Sequence, residues 1–507
     1  MKKISLLIIY TLIIFMISCS DELNQVPISN VSANVFYKTA TDFKQAVNGV
    51  YNALGANPST TNGYAIRRFV LSEVRSDNIY CPGTSGTRDR VFVNNFQSNL
   101  ANNGLMTEAW ASNYVGILRA NTILDQLNST VVPDQPTSDQ IEGETKFLRA
   151  FFYFDLVRYF GKVPVIDHAV TTTEALSIPR GEVADVYTLI ISDLNTAIAK
   201  LPLTYTGVDK GRATSLAAKA MLGLVYLTRT GPTYGINGPG LATNEYDLAV
   251  SNFNDVINSG KFSIVPTYSA IFSWTNEGNP DIVFDIQAVG GNTGDLGLGA
   301  RFPTDFVDAN YATSQGIKFA GGAEVDAPQS PSADLRNSFE AGDVRKTFSI
   351  INSYPPAGAP QFIKFWDKTQ AGVDRFNWSL NFPAIRYTDV LMMKAEAILR
   401  GGIGANGTQA DVDAIVNQVR TRAGLTPRTN VTLDQLLTER RHEFMEEGLR
   451  WFDLVRNGTV ITTMNAWRTI DDTAGKISPI VENYIIYPLP VAQITGIQAN
   501  YDQNPGY

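Results

Sequence analysis

The chain has 507 residues, 44% hydrophobic and 18% charged, so it holds ample apolar material for a large core and is not a disordered polyelectrolyte. Lys and Arg total 41 against 49 Asp and Glu, a net charge of −8 that offers no electrostatic reason to expect a nucleic-acid partner. With two histidines, His168 and His442, and two cysteines, Cys19 and Cys81, the composition argues against Cys/His zinc sites, thiol redox pairs and a disulfide scaffold, and no cofactor motif is visible.

The N-terminus reads as an export signal. Lys2 and Lys3 precede an uncharged run from Ile4 to Ile17, the right length for a signal peptide but short for a membrane-spanning helix. The run ends in Ile17-Ser18-Cys19, which resembles a bacterial lipoprotein signal: residues 1–18 are removed and Cys19 becomes the lipidated first residue. Ser20, Asp21 and Glu22 then resemble the acidic surface-export tag of Bacteroidetes lipoproteins, so the expected location is the outer membrane, lipid-anchored and facing the exterior. Lipidation of Cys19 would leave Cys81 unpaired.

Apolar residues recur at helical spacing near 41–55, 105–128, 138–160, 182–200, 212–229, 243–259, 385–401, 408–423 and 432–457. In the third of these, Phe151, Phe152, Tyr153, Phe154, Tyr159 and Phe160 wrap all faces, as in a core helix. In the fifth, Ala213, Leu216, Ala217, Ala220, Leu224 and Leu227 form one stripe whose small residues allow close helix approach. Glycine and proline clusters separate the helices, which suggests stacked hairpins of the tetratricopeptide kind, although no strict repeat period is visible.

Strand signals concentrate between 261 and 370. Ile282, Phe284 and Ile286 alternate with Val283, Asp285 and Gln287, which predicts a strand with one buried and one polar face. Residues 290–345 are rich in Gly, Asn, Asp and Ser with scattered aromatics and read as binding loops on a rigid scaffold, while Tyr484 to Tyr507 should be extended.

Near the C-terminus, His442-Glu443-x-x-Glu446 misses the zinc-protease pattern by one histidine, and a structural helix is the better reading. Thr432 and Gln435 form a capping box, Glu446 and Arg450 are spaced as a surface pair, and Arg440 needs a carboxylate if buried. The pentapeptide Phe154-Asp155-Leu156-Val157-Arg158 recurs as Phe452-Asp453-Leu454-Val455-Arg456, with Asp and Arg spaced to pair.

Longer motifs carry a resemblance. Phe147-Leu148-Arg149-Ala150 runs into Tyr153-Phe154-Asp155-Leu156-Val157-Arg158-Tyr159-Phe160-Gly161-Lys162-Val163-Pro164; later come Ile385-Arg386-Tyr387-Thr388-Asp389-Val390-Leu391 and Ala395-Glu396-Ala397. Val419-Arg420-Thr421-Arg422-Ala423-Gly424-Leu425, Glu439-Arg440-Arg441-His442-Glu443-Phe444 and Glu447-Gly448-Leu449-Arg450-Trp451-Phe452-Asp453-Leu454 follow. With Tyr487-Pro488-Leu489-Pro490 and Gln503-Asn504-Pro505-Gly506-Tyr507, these resemble the SusD/RagB family of outer-membrane lipoproteins over nearly the whole mature chain.

The resemblance implies a mainly α fold, a tetratricopeptide-like helical scaffold with an irregular, loop-rich, partly β ligand-binding part. It divides the chain into an N-terminal region, 19–260, with most of those helices, and a C-terminal region, 261–507, with variable binding loops, further helices and an extended tail. It also implies a non-catalytic role: capture of an oligosaccharide, or in some members a peptide, and delivery to a SusC-like TonB-dependent barrel. Sugar rings stack their C–H faces on Trp or Tyr and bond their hydroxyls to Asn, Asp or Arg, so the ligand-contact candidates are Tyr80, Trp274, Tyr311, Trp366 and Trp378, with Asn78, Arg88, Asn276 and Asp305 as polar partners. A glycoside hydrolase remains an alternative and would need two carboxylates facing across a cleft. A periplasmic solute-binding lipoprotein would show two α/β lobes, against which the helix-dominated pattern argues.

Overall fold

The computed structural model describes residues 33–55, 63–81, 88–290, 299–316, 329–354, 358–367, 369, 378–496 and 501–507; the signal segment and Cys19 lie outside the described residues. The long helices are α1 (Ala40–Asn52), α2 (Gly104–Gln126), α3 (Gln135–Phe160), α4 (Val183–Lys200), α5 (Ser215–Arg229), α6 (Tyr246–Asn258), α7 (Tyr387–Gly401), α8 (Gln409–Arg422), α9 (Leu433–Phe444), α10 (Arg450–Arg456) and α11 (Val460–Asp471). From α2 to α9 each packs on the next, and this serial stacking continues from α6 to α7 across the insert that separates them in sequence. The fold is therefore the expected stack of helical hairpins. Its apolar core is continuous, running from Phe43 in α1 to Tyr501 near the C-terminus.

Helix α3 is buried on every side from Phe147 to Phe160, as its aromatic pattern predicts. Its interior charges are paired. Arg149 makes two bonds to the Asp193 carboxylate of α4, at 2.7 and 2.8 Å, and Arg158 bonds Asp155. The Arg158 guanidinium also sits 4.1 Å from the ring centres of both Phe154 and Phe452, so the two copies of the pentapeptide meet in space. In α5, Leu216, Ala217, Ala220 and Leu227 are buried, and the helix packs between α4 and α6.

The expected helix over 432–457 is two helices. The capping box at Thr432 and Gln435 starts α9, but the chain leaves helical geometry between α9 and α10, where Glu446 has φ 71° and Gly448 φ 68°. Gly448 is required twice over. Its backbone is left-handed, and a Cβ there would lie 2.7 Å from Arg68 Cγ and 2.9 Å from the Arg68 carbonyl oxygen. The expected surface pair of Glu446 and Arg450 is likewise not formed, because the break turns both inward. Arg450 binds Asp77 with two bonds of 2.8 and 2.9 Å, and Glu446 accepts the Lys364 N–H at 3.1 Å.

These bonds belong to a buried ion network. Arg386 contacts Asp281 at 2.7 Å, Glu443 at 2.9 Å and Glu447 at 2.8 Å. Lys364 reaches Glu447 at 2.6 Å, Arg345 pairs with Asp343 and Glu439, and Arg440 finds the expected carboxylates in Asp389 and Asp453.

Among the described residues strands are few: β1 (Ile79–Tyr80), β2 (Ile282–Ile286), β3 (Ser330–Pro331), β4 (Ile350–Ile351), β5 (Gln361–Phe362) and β6 (Phe382–Arg386) pair antiparallel as β1–β3, β2–β6 and β4–β5. In β2 the expected alternation fails. Register shifts on either side of Phe284 turn Val283, Phe284 and Asp285 all inward, which carries a carboxylate into the interior. The tail, expected to be extended, contains the short helix Val491–Thr495 and docks on α3 through Tyr487 N–H to Tyr159 O at 2.7 Å and Asn504 Nδ2 to Phe160 O at 2.9 Å.

Gly448→Ala should destabilise the protein by about 2–4 kcal/mol, combining backbone strain with overpacking against Arg68. A urea-melt midpoint indistinguishable from that of the parent chain would contradict this.

Candidate functional site

A cleft of 490 Å³ opens beside the C-terminal end of α1. Asn48, Tyr51 and Asn52 form one wall, Tyr64 to Ile66 a second, the turn 208–212 a third, and β2 with its continuation to Ala288 a fourth; Ala300 to Phe302, Leu380 and Phe382 complete it. Its apolar part is an aromatic cluster in which Phe302 meets Phe382 edge-on at 5.2 Å and Tyr64 meets Phe382 at 6.2 Å. In the turn, Gly211 has φ 96°, the left-handed region that favours glycine, and a Cβ there would fall 1.8 Å from Gln287 Nε2, so the flexible Gln287 side chain would have to shift.

The polar groups are fixed by neighbours. Arg212 donates to Asp209 at 2.8 Å, Glu144 at 2.8 Å and Asn48 Oδ1 at 2.7 Å, and the Tyr51 hydroxyl accepts the Ala213 N–H at 2.8 Å. Asp285, turned in by the β2 bulges, accepts from Asn381 Nδ2 at 2.9 Å. The Asn381 backbone N–H donates to Glu277 at 2.6 Å, and Asn381 Oδ1 accepts the Ala288 N–H at 2.9 Å. One asparagine thus ties two carboxylates to the cleft wall. Burial raises both acids, with Glu277 pushed up to about 7 and the bond from Asn381 opposing the rise.

Beyond the cleft wall lies a second cluster. Ala300 and Trp378 exchange backbone hydrogen bonds of 2.8 and 3.1 Å, and Trp378 packs on Trp366 at 5.2 Å, Trp366 on Tyr311 at 5.6 Å, and Tyr311 on Tyr354 at 5.4 Å. Three of the sequence candidates, Tyr311, Trp366 and Trp378, are thus brought together. Tyr311 and Trp378 are buried by the cluster itself, whereas Trp366 is part-exposed. Asp305, in the short helix Phe302–Asp305, is also close to the cleft and binds Arg301 at 2.9 Å and Arg90 at 3.3 Å.

The remaining candidates are elsewhere. Asn78 is fully buried in the ion network, donating to Glu73 at 2.7 Å and accepting from Arg441 at 2.7 Å, so it offers no surface to a ligand in this conformation. Tyr80 packs edge-on to Trp467, and its hydroxyl donates to Asp472 at 3.3 Å. Trp274 is exposed on the turn Trp274–Asn276, where Asn276 binds the Ala270 carbonyl at 2.8 Å. Arg88 begins the helix Arg88–Asn94, and its side chain lies outside the described residues. Asn48, Tyr51, Asn52, Lys210 and Gln287 are absent from the sequence candidates although they line the cleft. The asparagines at i and i+4 near the end of α1 are the one sequence signal for them, and that spacing says only that both share a helix face.

A family profile described as starch-binding and associating with the outer membrane matches residues 29–227, and the SusD family profile matches 354–507. The chain belongs to the SusD/RagB family. It is 27% identical over 479 residues to a SusD-like protein of Bacteroides ovatus, covering 89% of this chain and 82% of the relative. It is 24% identical over 453 residues to the starch-binding protein SusD of Bacteroides thetaiotaomicron, covering 77% and 76%. The fold is similar to that of surface glycan-binding protein A from Bacteroides thetaiotaomicron in complex with laminarihexaose, with a TM-score of 0.76, 19% identity, and coverage of 92% of this chain and 99% of the other.

Glu277 makes the cleft wall sensitive to pH. Its folded value of about 7 exceeds the ordinary 4.5, so between these values the folded state holds more protons than the unfolded state and stability falls as pH rises. Glu277→Gln should flatten this part of the profile, read as thermal midpoint against pH; an unchanged slope would exclude Glu277 as its source.

Proposed function

We propose that this protein is a lipid-anchored, cell-surface oligosaccharide-binding protein that captures its ligand in the 490 Å³ cleft and passes it to a SusC-like TonB-dependent outer-membrane barrel without catalysing a reaction. The cleft carries the reading. Its volume falls within the range of about 300–1,000 Å³ usual for small-ligand sites, and it combines aromatic rings with asparagine and glutamine amides, the groups that suit the C–H faces and hydroxyls of sugars. The part-exposed Trp366 and the exposed Trp274 are candidates for extending contact along a longer chain.

A non-catalytic role is supported by the acid content of the site. Asp285 is the single carboxylate among the described lining residues, whereas glycoside hydrolysis ordinarily uses a pair facing across the bond. Glu277 does not supply the second, because it is not among the residues lining the cleft and accepts the Asn381 backbone N–H instead. The relatives named above as SusD, starch-binding and glycan-binding proteins support capture as the task.

On a glycan array the purified protein should bind a restricted set of oligosaccharides and release no shorter products. Asn52→Trp, which fills the cleft from an exposed position, should weaken that binding by more than about tenfold, or 1.4 kcal/mol. Turnover of a bound glycan would refute the non-catalytic reading, and full binding by the variant would refute the cleft. In cells, Cys19→Ala should move the protein from the membrane fraction to the soluble fraction, and retention in the membrane would refute the lipid anchor.

A further inference from the structure

Among the described residues, four charged side chains line the cleft: Lys210, Arg212, Asp285 and Arg301. The two arginines are already engaged. Arg212 is bound to Glu144 and Asp209, both at 2.8 Å, with its remaining nitrogen on Asn48 at 2.7 Å, and Arg301 is held by Asp305 at 2.9 Å. None of these three carboxylates is itself a lining residue. Lys210 differs. It is exposed on the turn that forms the third wall, and its ammonium makes no ion pair or hydrogen bond among the described residues. Its position is nevertheless defined: a Cβ at Gly278, φ 61°, would lie 3.0 Å from both Cε and Nζ of Lys210, so the end of the side chain rests over the turn that leads into β2.

From this contrast, and resting on the oligosaccharide reading above, we infer that the cleft takes a chain bearing an acidic substituent, a uronate carboxylate or a sulfate ester, which pairs with Lys210. An anion at Arg212 would have to displace Glu144, leaving a buried carboxylate without its cation, and that exchange returns little. At Lys210 it displaces only water. Asp285 sets the other requirement. Its two oxygens accept from Asn381 Nδ2 at 2.9 Å and Gln287 Nε2 at 3.4 Å, and an ionised carboxylate offers about four acceptor sites, so it keeps capacity for sugar hydroxyls while repelling a second anion. A neutral chain leaves the ammonium unused, and a chain charged on every ring brings an anion against Asp285, so isolated acidic groups are favoured over both. Lys210 is then the specificity-determining residue, and its flexible stem lets the charge follow either kind of acid.

The test is an array of neutral oligosaccharides printed beside uronate-bearing and sulfated counterparts of the same backbone, with a tripeptide mixture assayed separately. The full-length mature protein is compared with Lys210→Gln, which removes the charge and keeps a polar side chain, and with Asn52→Trp, which fills the cleft. Hits are titrated by calorimetry in about 0.05 M and about 0.5 M salt. The expected hits come from the uronate or the sulfate arm and bind about fivefold more tightly than their neutral counterparts at low salt. Most of that margin should vanish in high salt and in Lys210→Gln, and Asn52→Trp should abolish binding of both kinds of chain. Neutral chains bound as tightly as acidic ones, or a margin that survives Lys210→Gln, would overturn the inference while loss of binding in Asn52→Trp leaves the cleft reading intact. A tripeptide whose binding is lost in both variants would overturn the oligosaccharide as the ligand class, and binding that Asn52→Trp retains in full would overturn the cleft itself.

Discussion

The structure depends on a buried ion network centred on Arg386 and Glu443. Arg386 alone joins Asp281, Glu443 and Glu447, and Glu443 takes a second guanidinium from Arg422 at 2.6 Å. Against the penalty of burial, Arg422 and Arg386 hold the Glu443 carboxyl to about 2; Arg441 and Arg450 do the same for Asp77, and Arg456 for Glu396. Glu446 goes the other way. Burial pushes it well above the usual carboxylate range, with Lys364 opposing, because its near neighbours include Glu73 and Glu447 and no guanidinium bonds it. Buried pairs add little net stability over an apolar core, but breaking one leaves an isolated interior charge at a cost of about 3–5 kcal/mol, which penalises any alternative docking of these segments.

The segments so joined are remote in sequence. Asp77 precedes β1, Asp281 precedes β2, Arg386 ends β6, Lys364 follows β5, and Glu443 to Arg450 span the break between α9 and α10. The network is therefore what places the irregular insert on the helical stack. It also reaches the cleft through one strand pair. Ile282 is paired with Arg386 at the network end of β2–β6, while Ile286 is paired with Phe382 at the cleft end. Anchoring one end of a bulged two-stranded ribbon fixes where Asp285, Gln287 and Phe382 stand at the other.

Much of the scaffold is legible in the sequence. The periodic segments mark helices α1 to α8 to within a few residues, and the start of α9, because each buries a continuous stripe. The failures arise where distant contacts override local pattern. Nothing near Glu446 announces that its carboxylate meets Lys364, so the chain reads as one helix through 457. The alternation in β2 is upset by register shifts that depend on β6, about 100 residues away. The helical geometry from Tyr64 to Val74 and in α11 is likewise absent from the periodic reading. Aromatic residues in polar loops reveal the Tyr311, Trp366 and Trp378 cluster but not which rings it buries. The cleft is the least legible feature, since its walls come from six separated stretches and no local spacing relates Asn52 to Lys210 or Gln287.

The motifs that reveal the family and the residues that would contact a ligand are largely different sets. Arg149, Asp155 and Arg158 in the N-terminal half, and Arg386, Asp389, Glu396, Arg420, Arg422, Glu439, Arg440, Glu443, Glu447, Arg450 and Asp453 in the C-terminal half, all lie within the recognisable motifs, and every one of them makes an ion pair. Asn48, Tyr51, Asn52, Lys210, Asp285 and Gln287 lie outside those motifs. The separation has a physical reason. An interior charge network tolerates few substitutions, because each removal strands a partner, whereas a cleft built from turn, strand-edge and helix-end side chains can change its hydrogen-bonding groups without disturbing any buried pair. Membership of the family is therefore written in the scaffold's electrostatics, and the proposed ligand cleft in side chains that the scaffold positions but whose identity it does not dictate.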